Sequence, residues 1–286
     1  MARQEESSSS SEAIDEGESR AIEERAPIGA PAIFEAIRRQ GEAELNRPMS
    51  SLAASGFIAG IALGFSALTK ALLHSHLPDT DWRPLVSSLG YTVGFLIVIL
   101  GQLQLFTENT ITAVCPALDK PGRESLRCLA RLWSLVLVFN LIGAGVFGYV
   151  LYLVADVQPG VWDALVYMAG EALGHSWLEV LLRGVGAGWL VASLVWVMSN
   201  ADSKTIVIVI FTYLIALAGF AHVIAGTAEA AAMIFAGEVG LVEAVWGYIF
   251  PALLGNIIGG TVLFTGLTWA QLRAEVARDR APLWNG

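Results

Sequence analysis

Six stretches of this sequence run for roughly 18–29 residues without a charged side chain, each close to the ~20 residues a helix needs to cross a bilayer core. They are Met49–Thr69, Pro84–Thr107, Leu132–Ala155, Gly184–Ala201, Thr205–Ala228 and Ala244–Leu272. Backbone polar groups in lipid have no water to bond to, so each stretch is predicted to be a helix. The apolar residues are continuous rather than alternating, which argues against an outer-membrane barrel. Composition agrees: 15% of residues are charged, where a soluble domain carries about a quarter. The expected fold is therefore an all-α membrane protein with six transmembrane helices.

Charge outside the spans sets the orientation. Arg38, Arg39 and Arg47 precede the first span, Lys120, Arg123, Arg127 and Arg131 separate the second from the third, and Lys204 separates the fourth from the fifth. Arg273, Arg278 and Arg280 follow the sixth, while the opposite connections hold only Lys70, Arg83 and Arg183. The positive-inside rule then puts both termini in the cytoplasm of a cell (inner) membrane. The net charge of −9 says little about this part, because residues 1–27 hold eight acids against three bases. That serine-rich acidic tail reads as disordered, and no cleavable signal peptide is expected. From Pro31 to Arg47, Ile33, Phe34, Ile37 and Leu45 share one helix face. This amphipathic helix either lies on the membrane surface or packs on the protein itself. Cys115 and Cys128 flank a cytoplasmic loop, where a disulfide is not expected.

Small residues recur every fourth position in span one (Gly56, Gly60, Gly64), span four (Gly184, Gly188, Ala192) and span six (Gly255, Gly259). Such stripes bring helices close together and are not in themselves a pore signal. The run Asn140-Leu-Ile-Gly-Ala-Gly-Val resembles Asn256-Ile-Ile-Gly-Gly-Thr-Val, 116 residues on. The same offset carries Phe106 onto His222. Two copies of three spans must be inverted relative to each other in the membrane.

The repeat pairs the two most unusual segments. In the first, Gln102, Gln104, Glu108 and Asn109 crowd a span that should continue as apolar helix. Polar groups at depth are costly and face a cavity or the bundle interior. If Thr107 caps a new half-helix, Glu108 and Asn109 sit in its first turn, where the dipole favours a carboxylate. Otherwise span two simply ends there. In the second segment, His222 lies well inside the fifth span and Glu229 follows it by two helical turns, on the same face. A buried histidine is either a hydrogen-bonded core residue or a titrating group in a pore.

These residues carry a family resemblance. Leu105-Phe106-Thr107-Glu108-Asn109-Thr110, Gly219-Phe220-Ala221-His222, and Arg183-Gly184 leading to Gly188-Trp189-Leu190-Val191 and Trp196 resemble the formate/nitrite transporter family, particularly its YfdC-like branch. The resemblance implies an aquaporin-like fold of inverted three-helix repeats with helices 2 and 5 interrupted, assembled as a homopentamer with one pore per protomer. It implies passage of small monovalent weak-acid anions such as formate or nitrite, or their neutral acids, with a central histidine assisting proton transfer. On that pattern His222 contacts Thr107, Leu105 and Phe106 form the first constriction, and Tyr91, Phe95, Ile215, Gly188 and Val191 line the path. Glu108, Asn109 and Glu229 are secondary candidates. Four positions depart from the pattern: Ala221 where an acid is usual, Gly226 and Gly188 where asparagines are, and Ala172 where a lysine is. The missing lysine puts anion selectivity in question, and the glycines leave a pore that is roomier or is filled by Tyr91.

The expected organisation is a disordered tail over 1–30, a surface helix over 31–47, a six-span channel domain over 48–273 and a cytoplasmic tail over 274–286. The alternatives are a channel for a small neutral solute and a non-conducting membrane subunit. An enzyme is not expected, since neither Gly-x-Ser-x-Gly nor His-Glu-x-x-His occurs. His74, His76, Asp79 and Asp81 make at most a weak metal site, so no metal or cofactor is expected. The partners expected are the permeating acid, protons, the lipid bilayer and further copies of the chain; no nucleic-acid partner is expected.

Overall fold

A computed structural model describes residues 29–279, with side chains to residue 273; the acidic tail over 1–28 and residues 280–286 lie outside it. The described chain is helical throughout, with no strand among the described residues. Helix α1 spans Ala30–Leu45 and α2 Met49–His76. Helix α3 covers Arg83–Leu100. After a segment with only a short turn at Glu108–Thr110 come α4 (Val114–Asp119), α5 (Arg123–Val157), α6 (Pro159–Leu173) and α7 (Trp177–Met198). Helices α8 (Lys204–Leu217) and α9 (Val223–Ala236) follow. The last, α10, covers Leu241–Arg273 and continues helically to Asp279, into the stretch expected to be a tail. Of these, α2, α3, α5, α7 and α10 are long and apolar enough to cross a membrane, while α8 and α9 are shorter apolar helices.

The glycine stripes explain the packing. A Cβ on Gly60 of α2 would lie 2.8 Å from the Ala144 amide of α5, and one on Gly143 would lie 3.1 Å from the Gly60 Cα. The same arrangement recurs between α7 and α10. A Cβ on Gly184 would lie 3.1 Å from Gly255 Cα, and one on Gly259 2.8 Å from the Trp189 amide. In a bilayer, helix association depends on such close van der Waals contact, since lipid gives no hydrophobic drive between helices.

Helix α1 packs on the protein itself. Its apolar face buries Ile33, Ile37, Gly41 and Leu45. A Cβ on Gly41 would crowd Thr112 and Pro116 of the following layer. Arg38 reaches Glu35 at 2.7 Å, Glu42 at 2.5 Å and Asp119 at 3.7 Å, and Arg131 donates to the Leu45 carbonyl. The guanidinium groups of Arg38 and Arg39 hold the Glu35 carboxyl down to about 2.

Helix α6 was not among the expected elements. Its signals are present nonetheless: Pro159 in the first turn and buried Val161, Ala164, Leu165, Met168 and Ala169 at helical spacing. At 15 residues, with Asp163 and Glu171, it fails any search for long uncharged runs.

Gly60→Val and Gly145→Ala test the packing as a pair. The first forces α2 from α5 at a cost of about 1–3 kcal/mol or more. The second meets nothing within 4 Å. Thermal scans of the purified protein should show a lowered midpoint for Gly60→Val and an unchanged one for Gly145→Ala.

Candidate substrate path

Two non-helical segments meet at the centre. Helix α3 ends at Leu100, earlier than the Leu105–Thr107 break expected from sequence. Gln102 takes a left-handed φ of 52°, which turns the chain out of the helix. The second segment runs from Ala218, where α8 has ended, through Gly219 at φ 62° to His222, which precedes α9. Both segments expose backbone groups that a helix would have satisfied.

Two buried asparagines answer that need. Asn140 Oδ1 accepts from the Phe106 amide at 2.9 Å, and its Nδ2 donates to the carbonyls of Gly56 at 2.7 Å and Gln104 at 2.9 Å. Asn256 Oδ1 accepts from the Val223 amide at 3.0 Å, and its Nδ2 donates to the carbonyls of Gly184 and Ala221, both at 2.8 Å. Each asparagine therefore ties one chain break to one close-packed helix. The equivalence also corrects the repeat register. Phe106 matches Val223 and Gln104 matches Ala221, so Leu105, not Phe106, is the counterpart of His222.

His222 and Thr107 face each other across the two breaks. Thr107 Oγ1 lies 2.8 Å from His222 Nε2, and both residues are buried. Nδ1 of His222 accepts from the Ala225 amide at 3.3 Å and so caps the start of α9. An accepting Nδ1 assigns the neutral ring its proton on Nε2, donated to the threonine hydroxyl. The capping role expected of Thr107 is not observed, because its side chain makes no cap bond to Glu108–Thr110. Nor does His222 share a helix face with Glu229. It precedes α9 in an extended conformation.

The other expected residues fall into groups around this pair. The Phe95 ring meets the His222 ring edge-on, with centroids 5.0 Å apart, and the Tyr91 ring lies tilted against Phe95 at 5.3 Å. Leu105 and Phe106 are buried beside the pair, with Phe106 against Trp133 at 5.5 Å. Ile215 and Val191 are buried on α8 and α7. Gly188 has a structural role: a Cβ there would lie 2.7 Å from Asn256 Cα, so it lets α7 reach the second clamp just as Gly60 lets α2 reach the first. Asn109 is consumed in bonds to Gln104 at 3.3 Å, Thr112 at 3.0 Å and Trp133 at 3.1 Å. Glu108 lies in a turn of three residues with one carboxylate oxygen buried and unpaired, so no helix dipole holds it.

Cavities lie on either side of the pair. One, of about 310 Å³, is lined by Lys70, Tyr91, Ala221, Gly226, Glu229 and Tyr248, among others. The other, of about 20 Å³, lies by Glu44, Gln104, Leu105 and Glu108, with Glu44 accepting from Gln104 at 2.6 Å. Neither lining includes Thr107 or His222, which occupy the dense layer between.

Tyr248 was not anticipated. Its ring takes the space beside Gly226, where Tyr91 or empty volume was expected. It stands in a π-helical stretch, Val245–Ile249, near the start of α10, which widens the turn and re-aims the side chain. No local sequence signal marks that pairing. Gly226→Asn alone should destabilise the protein by about 1–3 kcal/mol. Adding Tyr248→Ala should recover part of it, with a coupling of about 0.5–3 kcal/mol read from thermal midpoints.

Comparison with known proteins gives a consistent picture. A family model described as formate/nitrite transporter matches residues 31–270. Inner membrane protein YfdC of Escherichia coli (strain K12) is 36% identical over 259 residues, 90% of this chain and 84% of that protein. Formate channel FocA of Haemophilus influenzae is 25% identical over 235 residues, 73% of this chain and 82% of that protein. A solved pentameric formate channel with formate bound superposes with a TM-score of 0.69 at 21% identity, over 79% of this chain and 98% of that one. This chain is a multi-pass membrane protein and belongs to the formate/nitrite transporter family.

Proposed function

We propose that the protein is a channel for small monovalent weak-acid anions, formate, nitrite or similar, that crosses the membrane six times. In this reading α3 with the segment after it forms a second span broken at depth, and α8 with α9 forms a broken fifth. The observation that carries the function is the buried Thr107–His222 bond, set between two cavities at the meeting of two chain breaks. A bare anion in such a dry layer pays a heavy desolvation cost, and a neutral acid far less. The path passes Tyr91 and Phe95, then His222 and Thr107, then the Leu105–Phe106 constriction, with Ile215 and Val191 behind it. Gly188, one helical turn from Val191 on α7, packs against the Asn256 backbone.

His222 assists the passage by donating a hydrogen bond from Nε2–H to the acid in place of Thr107, without giving up that proton. It takes up charge only when Nδ1 gains a proton and releases the Ala225 amide. The orientation is both termini in the cytoplasm, from the basic residues of the inner connections. The cavity with Lys70 is then the outer one, and the small cavity beside Glu44 is the inner one. Assembly as a homopentamer is supported by the likeness to the pentameric channel and by apolar side chains on the outward faces, such as Ile58, Val138, Ile142 and Val262. These faces suit lipid and neighbouring protomers. Two carboxyl groups at the inner cavity, Glu44 and Glu108, favour a second reading, a channel for a small neutral solute.

Proteoliposome flux separates these. Formate or nitrite flux that rises as the outside is acidified, and falls in His222→Phe, is expected. Urea or glycerol permeation without acid flux would favour the neutral-solute channel, and an unchanged acid flux in His222→Phe would remove the histidine from the mechanism.

A further inference from the structure

The ring nitrogens of His222 are both engaged, Nε2 with Thr107 and Nδ1 with the Ala225 amide. The neutral ring therefore has no acid proton to give. Losing Nε2–H would leave an imidazolate, and loading Nδ1 costs the cap. A proton for the passing anion is more readily supplied elsewhere, before the dense layer is reached.

The cavity of about 310 Å³ offers such a place. Lys70 comes to it from α2 and Glu229 from α9. Among the described residues neither side chain makes a hydrogen bond or ion pair, so an ammonium and a carboxyl face one cavity with their polar atoms uncommitted. Of the lining tyrosines, Tyr91 leads from it toward Phe95 and His222. The cavity shares Lys70, Met168, Glu171, Ala216 and Gly219 with a wider depression at the surface, which gives it an open mouth.

We propose that the weak-acid anion is captured and protonated in this cavity, with Lys70 as its counter-ion and Glu229 as its proton donor. The proposal rests on the weak-acid reading above and names the step that precedes the histidine layer. The Glu229 O–H bond breaks as the O–H bond of the acid forms, and the acid moves on without charge. The carboxylate left behind faces the Lys70 ammonium and regains a proton from water at the open mouth. The other ionisable groups around Glu229 are Tyr91, Tyr248, Glu171, His175 and Arg183. Arg183 is tied to the Gly219 carbonyl at 2.9 Å. Helix α5 packs on α9 through Gly148 and Ala231 and adds no ionisable group to the cavity.

The test is formate uptake by proteoliposomes holding the full chain, across outside pH, for wild type, Glu229→Gln, Glu229→Asp and Lys70→Met. Without an internal donor, uptake must follow the acid already protonated in bulk, which falls about tenfold per pH unit above its pKa. Glu229→Gln should thus match wild type within about twofold near pH 5 and fall about tenfold or more below it near neutrality. Glu229→Asp should recover most of the neutral-pH flux, and Lys70→Met should raise the half-saturating formate concentration with the pH profile unchanged in shape. A wild-type pH profile in Glu229→Gln overturns the proposal while leaving the channel reading intact. Loss of flux at every pH that aspartate does not restore, with loss of the folded oligomer, marks Glu229 as structural and also overturns it. Absence of formate flux in wild type removes this proposal and the weak-acid reading together.

Discussion

Everything at the centre of this protein depends on how two asparagines satisfy backbone groups that have no helix to bond to. Buried in a membrane protein, an unpaired amide or carbonyl is costly and cannot turn to water. Asn140 and Asn256 each use one side-chain oxygen and one side-chain nitrogen to serve one amide and two carbonyls. With the clamps in place, the chain can leave the helix near Gly101 and Ala218 without leaving those groups orphaned. The Thr107–His222 contact exists because both breaks are held side by side.

The clamps in turn need close helices. Gly60 and Gly188 are the residues whose missing Cβ lets the backbone of α5 and α10 come near enough for each asparagine to reach across. This gives the small-residue stripes a second purpose beside packing. It also explains one departure from the family pattern. Gly188 stands where the resemblance leads one to expect an asparagine, and the Asn256 backbone takes up the space. Gly226, the other glycine of that kind, is matched by Tyr248 from α10, so volume lost on one helix is restored from another.

Much of this was legible in the sequence, for identifiable reasons. The long spans announce themselves because lipid demands continuous apolar helix. The pairing of Asn140 with Asn256 showed as a weak repeat, but its meaning did not, because the amide and carbonyls each one serves lie 33 to 84 residues away. The first break starts earlier than the sequence suggests because Gln102, not a glycine, adopts the left-handed conformation. Helix α6 carries the right periodicity but is too short and too charged to stand out as a span. The Tyr248–Gly226 match is a contact between distant helices, which no local pattern encodes. The capping role given to Thr107 failed for a related reason. Its hydroxyl is engaged by a histidine 115 positions on.

The two breaks form one mechanical unit joined through Thr107 and His222. Amide hydrogen exchange over residues 101–113 and 218–226 in wild type and Asn140→Ala tests it most directly. Removing the first clamp should deprotect both segments, since loosening residues 101–113 withdraws the partner of His222 and weakens its hold on α9. Loss of protection confined to 101–113, with 218–226 unchanged, would contradict it.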